Sequence, residues 1–224
     1  MSLDLEHGNW RAFFTRETVS YQAVRAVVTE LLSGAELYRE VVLNRIAQAR
    51  ESVWISTANV KAMYVEQSGR FRPILSLFEE LDARGVELRL LHAELPSRPF
   101  RKAFDARARL VRGGLDLKIC PRVHFKAVLV DGAWLYLGSA NLTGSGLGAK
   151  GPHKRNFELG FVTEDFELID QVSAFYASIW SGRECAQCKL RGVCPDPIGG
   201  AAPRRSGIRL GRARRLETGA RRRS

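Results

Sequence analysis

No stretch of the 224 residues approaches the roughly 18 uninterrupted apolar residues that a membrane-crossing helix needs. Neither a span nor a membrane partner is therefore expected. Residues 1–16 mix Asp4, Glu6, Arg11 and Arg16 with few apolar side chains, unlike a secretory signal peptide, so a cytoplasmic location is expected. Cysteine is scarce, with four in the chain. A chain of this length closes a core without disulfides, and in a reducing compartment such cysteines are metal ligands or plain thiols. No internal repeat is visible, which excludes a solenoid. A hydrophobic content of 45% excludes a wholly disordered chain.

Positive charge is abundant but unevenly placed. Lys and Arg number 35 against 24 acids, a net +11. Nine arginines, Arg204 and Arg205 among them, and one acid fall between Pro203 and Ser224, so this tail carries +8 and the rest +3. A run of this kind either solubilises the chain end or contacts the phosphates of a nucleic acid, without reading its sequence.

Apolar spacing predicts helix over 17–50, with Val24, Val27, Val28, Leu31 and Leu32 on one face and a break at Ser33-Gly34. Strands are expected at 52–60, 86–92, 115–120, 123–130, 133–141 and 157–163. Helices are expected at 72–84, 99–111 and 165–180, the first two stopped by Gly85 and Gly113-Gly114. Strands alternating with helices and ending in a hairpin predict an α/β fold with a mixed central sheet flanked by helices.

Asp131-Gly132 between two apolar runs predicts a two-residue hairpin turn. Val130 would then pair with Ala133, Lys126 with Leu137 and His124 with Ser139. Alternation puts His124, Lys126, Ser139 and Asn141 on one face at one end of the hairpin. The other positions of both strands are apolar, so the hairpin is central and covered on both sides. A His and a Lys there need polar partners, because burying them unpaired is costly. Asn156 and Glu158, alternating on the next strand, can supply them.

His124-Phe-Lys126-x4-Asp131, then Gly138-Ser139-x-Asn141 and Asn156-x-Glu158, resembles the signature of the phospholipase D superfamily. The resemblance implies phosphodiester chemistry. His124 would attack phosphorus and carry a covalent phosphohistidine. Lys126, Ser139, Asn141 and Asn156 would hold phosphate oxygens or order the site. Glu158 would bond the ring nitrogen not used for attack. Asp131 belongs to the motif but sits in the turn, where a structural role is expected. No cofactor is implied for this chemistry. The chain has one copy of the motif where many members have two, so a homodimer that pairs two copies of His124 is expected. A single copy, no membrane span and the arginine tail favour a nuclease with nucleic acid, most of all DNA, as partner. A lipid or small-molecule phosphodiesterase and a silent binding module are the alternatives. The glycine-rich loop 144–148, followed by Lys150, His153, Lys154 and Arg155, is either a flexible loop contacting phosphates or a merely solvated one.

Cys185-x2-Cys188-x5-Cys194-Pro195 with an isolated Cys120 fits a [4Fe–4S] cluster, zinc or free thiols. Cys120 lies four residues before His124, within ~14 Å even in an extended chain. The expected organisation is a helical segment 1–34, a catalytic domain 35–181, a cysteine-rich segment 182–200 and a disordered tail 201–224.

Overall fold

The computed structural model describes residues 25–195 and Ile198. The expected helix over 17–24 and the tail, including Arg204 and Arg205, lie outside the described residues. The centre is a seven-stranded mixed sheet with strand order β1-β9-β8-β7-β2-β5-β6. Its strands are β1 (Glu30–Ser33), β2 (Ser52–Thr57), β5 (Glu87–His92), β6 (Asp116–Ile119), β7 (Lys126–Val130), β8 (Trp134–Gly138) and β9 (Leu159–Thr163). β2, β5 and β6 run parallel, and the remaining neighbours are antiparallel. A small separate hairpin joins β3 (Tyr64–Gln67) to β4 (Arg70–Pro73).

Helices cover both faces, as the alternating apolar strands require. One face is covered by a helix that starts as α1 (Gly34–Leu37) and continues in wider π-type turns over Tyr38–Arg45. Its Leu37, Val41, Val42 and Ile46 are buried with Val53, Ile55, Val128 and Tyr136 of the sheet. α2 (Ile74–Ala83) adds Leu77, Phe78 and Leu81 to the same core. α3 (Arg98–Asp105) contributes Phe100. The opposite face is covered by α4 (Phe166–Trp180), whose Asp165 caps the helix by accepting from the Leu168 N–H at 2.9 Å. Along α4, Tyr176 stacks between Trp54 and Trp180 at 5.5 and 5.7 Å. Arg89 lies 4.4 Å over the Trp54 ring, which lets a charged side chain sit against an aromatic face.

Three expectations are corrected. Residues 30–33 are an edge strand, not helix, because their backbone pairs with β9 from Glu30↔Val162 to Ser33↔Leu159. Ladder bonds to a neighbouring strand outweigh a weak helical spacing. The helix expected over 99–111 ends at Asp105, and a separate turn, Leu110–Gly114, follows it. The start expected for helix 72–84 is taken by β4, so the helix begins at Ile74.

The hairpin register also differs from expectation. The Ala133 N–H does donate to the Val130 carbonyl at 3.0 Å, closing a turn in which Asp131 and Gly132 have φ of 54° and 61°. The ladder nevertheless pairs Val130 with Trp134 and Lys126 with Gly138. Ala133 is thus an extra loop residue, and the slip exchanges the two faces of β8 relative to β7. Trp134 and Tyr136 join Val128 and Val130 in one core, while Leu135 joins Ala127 and Leu129 in the other.

Candidate active site

The end of β2, the start of β7, the end of β8 and the start of β9 meet at one end of the sheet. His124, Lys126, Ser139, Asn141, Asn156 and Glu158 all belong to these strand ends or the residues beside them. His124 stands two residues before the first residue of β7 and is exposed. Its carbonyl accepts from Lys126 Nζ at 2.6 Å. Among the described residues its ring makes no side-chain hydrogen bond, and the expected bond from Glu158 is not formed. Glu158 instead accepts from Ser139 Oγ and, at 3.1 Å, from Asn156 Nδ2. The Leu159 N–H donates to Ser139 Oγ at 3.1 Å, which fixes that hydroxyl against β9. Register places Lys126 beside Gly138 and hence next to Ser139, whereas His124 does not sit opposite Ser139 as expected.

Asn141 is held from the other side. Its Oδ1 accepts from the Ala58 and Asn59 N–H groups, both at 3.1 Å, and lies 3.1 Å from the Thr57 hydroxyl. That hydroxyl accepts from the Leu142 N–H at 3.1 Å. The carbonyl of the Asn141 side chain is thereby committed to the loop after β2, and its amide group is the end left for other partners. Thr57 had no signal in the sequence beyond a polar residue closing a strand.

Tyr136 is a second component, and pairing Val130 with Ala133 would have turned it to the opposite face from Val128, its actual neighbour in the ladder. It is fully buried, and its ring lies across Gly138 and Gly160, which pair with each other. The Ala140 N–H donates to its hydroxyl at 3.3 Å, so the phenol supports the backbone between Ser139 and Asn141. Burial pushes this phenol up to about 12. A side chain at Gly160 would run into the ring, and its neighbours are packed core. Gly160→Ala should therefore cost about 1–3 kcal/mol, measured by urea unfolding, because an overfilled core cannot relax freely. Glycine inside a strand is a sign of such close approach, and the signal was present in the sequence.

Asp131 sits at the far end of the hairpin, roughly 17 Å from Lys126 by strand rise. Its carboxylate accepts from the backbone N–H groups of Arg50, Glu51 and Ser52 at 2.8–3.1 Å. It ties the turn to the start of β2 and touches none of the residues at the other end.

The loop after Asn141 is folded rather than loose. Leu147 is buried, and Gly146 and Gly148 N–H groups donate to Thr143 at 3.1 and 3.0 Å. The Asn156 N–H donates to the Ser145 carbonyl at 3.0 Å, so this loop positions Asn156. Lys150 and Lys154 are exposed. Arg155 turns inward, 5.6 Å over the Tyr38 ring and within 3.5 Å of the Gly34 carbonyl. Burial lowers its pKa.

A family model described as "Cardiolipin synthase, PLD-like domain" matches residues 42–180. The chain belongs to the phospholipase D superfamily. Among solved structures, NucT from Helicobacter pylori aligns with 16% identity over 68% of this chain and 95% of its own, at a TM-score of 0.49. Nuc from Salmonella typhimurium, described as a phospholipase D family member, aligns with 19% identity over 70% and 95%, also at 0.49. The archaeal chromatin protein TrmBL2 aligns with 11% identity over 73% and 55%, at 0.48. No curated protein sequence matches. In superfamily terms, the matched segment spans every residue of the strand-end group, from β2 through Glu158. No helix among the described residues is long and apolar enough to cross a membrane.

The cysteines form a second grouping. The left-handed Gly182, φ 78°, ends α4, and successive turns carry Cys185, Cys188 and Cys194. All four thiols are free and line one small cavity with Ile119, Pro121, Arg122, Leu190, Arg191 and Ile198. Burial pushes the Cys120 thiol up, and its three companions add to the shift. The Leu190 N–H, with help from Arg122, holds the Cys188 thiol down. As they stand, no three His, Cys, Asp or Glu among the described residues form a group able to hold a metal ion.

Proposed function

We propose that the chain is a phosphodiesterase that cleaves nucleic acid through a phosphohistidine on His124. The carrying observation is that His124, exposed and with no hydrogen bond to its ring among the described residues, shares the open strand end with Lys126 and the Ser139–Glu158 pair. A nitrogen of neutral His124 forms a bond to phosphorus while the bond to the leaving oxygen breaks. That oxygen takes a proton from an acid, and water later displaces His124, returning its own proton to the conjugate base. Lys126 and the hydroxyl and amide donors of Ser139, Asn141 and Asn156 offset charge on the non-bridging oxygens. Glu158 holds Ser139 and Asn156 in place and becomes available to the imidazolium as His124 changes protonation.

The acid is His124 of a second copy, since this chain carries one motif. Phe157 and Leu159, exposed apolar side chains on either side of Glu158, support apposition of two copies at this end. A monomer by sedimentation that kept full activity would refute the shared site.

The test is cleavage of single- and double-stranded DNA and of RNA in EDTA, beside phosphatidylcholine hydrolysis. Chelator-resistant nucleic-acid cleavage is expected. Lipid hydrolysis alone would move the substrate class to lipids, and DNA binding with no cleavage of any substrate would favour a silent module. Removing residues 203–224, which carry +8, should weaken DNA affinity and leave the bond-breaking step unchanged. The plot of log affinity against log salt should flatten by about 0.9 for each phosphate that the tail neutralises, as read by filter binding across a salt series.

A further inference from the structure

We infer that Cys120, Cys185, Cys188 and Cys194 bind a [4Fe–4S] cluster that fastens the segment after α4 to the strand leading into His124. The inference stands apart from the chemistry assigned to His124. Its basis is convergence: three thiols from consecutive turns meet a fourth from 65 residues upstream around one cavity. The fold arranges this meeting without help from the cysteines. Lys118 Nζ on β6 donates to the Trp180 carbonyl at 2.9 Å, tying the end of α4 to the edge strand that ends beside Cys120. Gly182 then turns the chain back across that edge.

The run Cys185-x2-Cys188-x5-Cys194-Pro195 favours a cluster over a lone ion, because a Pro directly after the last cysteine marks iron–sulfur segments. Zinc draws four thiolates to ~2.3 Å from one centre, whereas a cube of iron and sulfide sits between thiolates that stand further apart. All four thiols border one cavity. Residues 181–195 are held by short turns rather than by a ladder, so a group seated there disturbs no strand pairing. Ile119, Pro121, Leu190 and Ile198 give the site an apolar border. Arg122 and Arg191 border it and offset the negative charge that four thiolates bring. Binding releases the thiol protons and requires no change of oxidation state in the protein. A cluster supplies a stable four-point cross-link there, and electron transfer where a redox partner is present.

The consequence for the strand end is specific. The Cys120 carbonyl accepts from the Val123 N–H at 2.9 Å, and the Cys120 N–H donates to the His92 carbonyl at 2.8 Å. Cys120 is therefore built into the turn that delivers His124. The cluster would lock this turn from outside the sheet.

The full chain, purified without oxygen and reconstituted with ferric iron, sulfide and a dithiol that supplies the electrons to bring the iron to the mixed-valence level, tests the inference. Expected are equal amounts of bound iron and sulfide, broad visible absorption, and a paramagnetic signal on reduction. Cys120→Ala and Cys188→Ala should each lose the iron and sulfide. Loss in Cys120→Ala is the sharper result, because that residue lies outside the cysteine-rich segment. A variant that fails to fold is replaced by a measurement on the unaltered chain. There, all four thiols should resist alkylation when reconstituted and react after an iron chelator is added. Stoichiometric zinc without sulfide would overturn the inference, as would no bound metal, or iron and sulfide retained in Cys120→Ala.

Discussion

His124→Ala should lower phosphodiester cleavage by at least about 10³-fold while leaving DNA affinity within a factor of about two, because removing a nucleophile deletes the covalent route itself. The side chain is exposed and lies outside the packed cores, so unfolding stability should move by less than about 0.5 kcal/mol. Cleavage in single turnover, filter binding and a urea titration on the same preparation separate the three quantities. Unchanged cleavage would remove His124 from the reaction. The geometry sharpens this outcome. Among the described residues Lys126 Nζ bonds only the His124 carbonyl, which the substitution keeps, and Glu158 is anchored by Ser139 and Asn156. Alanine thus removes one imidazole without releasing its neighbours.

The second large effect concerns the other end of the same hairpin. Asp131→Ala should destabilise the fold by about 2–3 kcal/mol, because three backbone N–H groups lose a charged acceptor at once. Alanine also tolerates the positive φ of 54° poorly. Asp131→Asn should cost roughly half as much, since asparagine keeps one carbonyl oxygen and accepts left-handed backbone. Both variants, once folded below their unfolding midpoint, should cleave at close to the parental rate. A stable Asp131→Ala protein that had lost cleavage would give this carboxylate a part in the chemistry, against its distance from the strand end. The motif thus holds residues with two separate tasks, one at each end of β7.

Much of the sheet was legible because its strands are strongly apolar and bounded by glycine or polar turns. β2, β5, β7, β8, β9 and α4 fall where alternation and helical spacing place them, within a few residues. The register of β8 was not legible, because Asp-Gly serves loops of two residues and of three, and nothing at Ala133 announces that it is skipped. That single residue moved Tyr136 from one core to the other and took Ser139 from its expected place opposite His124. The β3–β4 hairpin did carry a signal: Ser68-Gly69 with φ of 50° and 72° joins segments in which Val65 alone is buried. β1 carried none, since four residues with helical spacing become a strand only when β9 is there to receive them. The site was readable as a set of residues and not as a set of bonds. Partners such as Thr57, at the end of β2, and Asn141 lie 84 residues apart in sequence, which no local pattern reports.

Among the described residues the sheet terminates in β1 on one side and β6 on the other, each of four residues. Strands that short offer an incoming chain few free amides and carbonyls, and the gain from docking there barely offsets the order it imposes. The molecule is therefore a poor template for its own fibrillar growth: copies that crowd together have little to gain by extending the sheet sideways. Association by strand addition is disfavoured at both of these margins, and the ends of the strands offer side chains rather than free backbone to anything that approaches them.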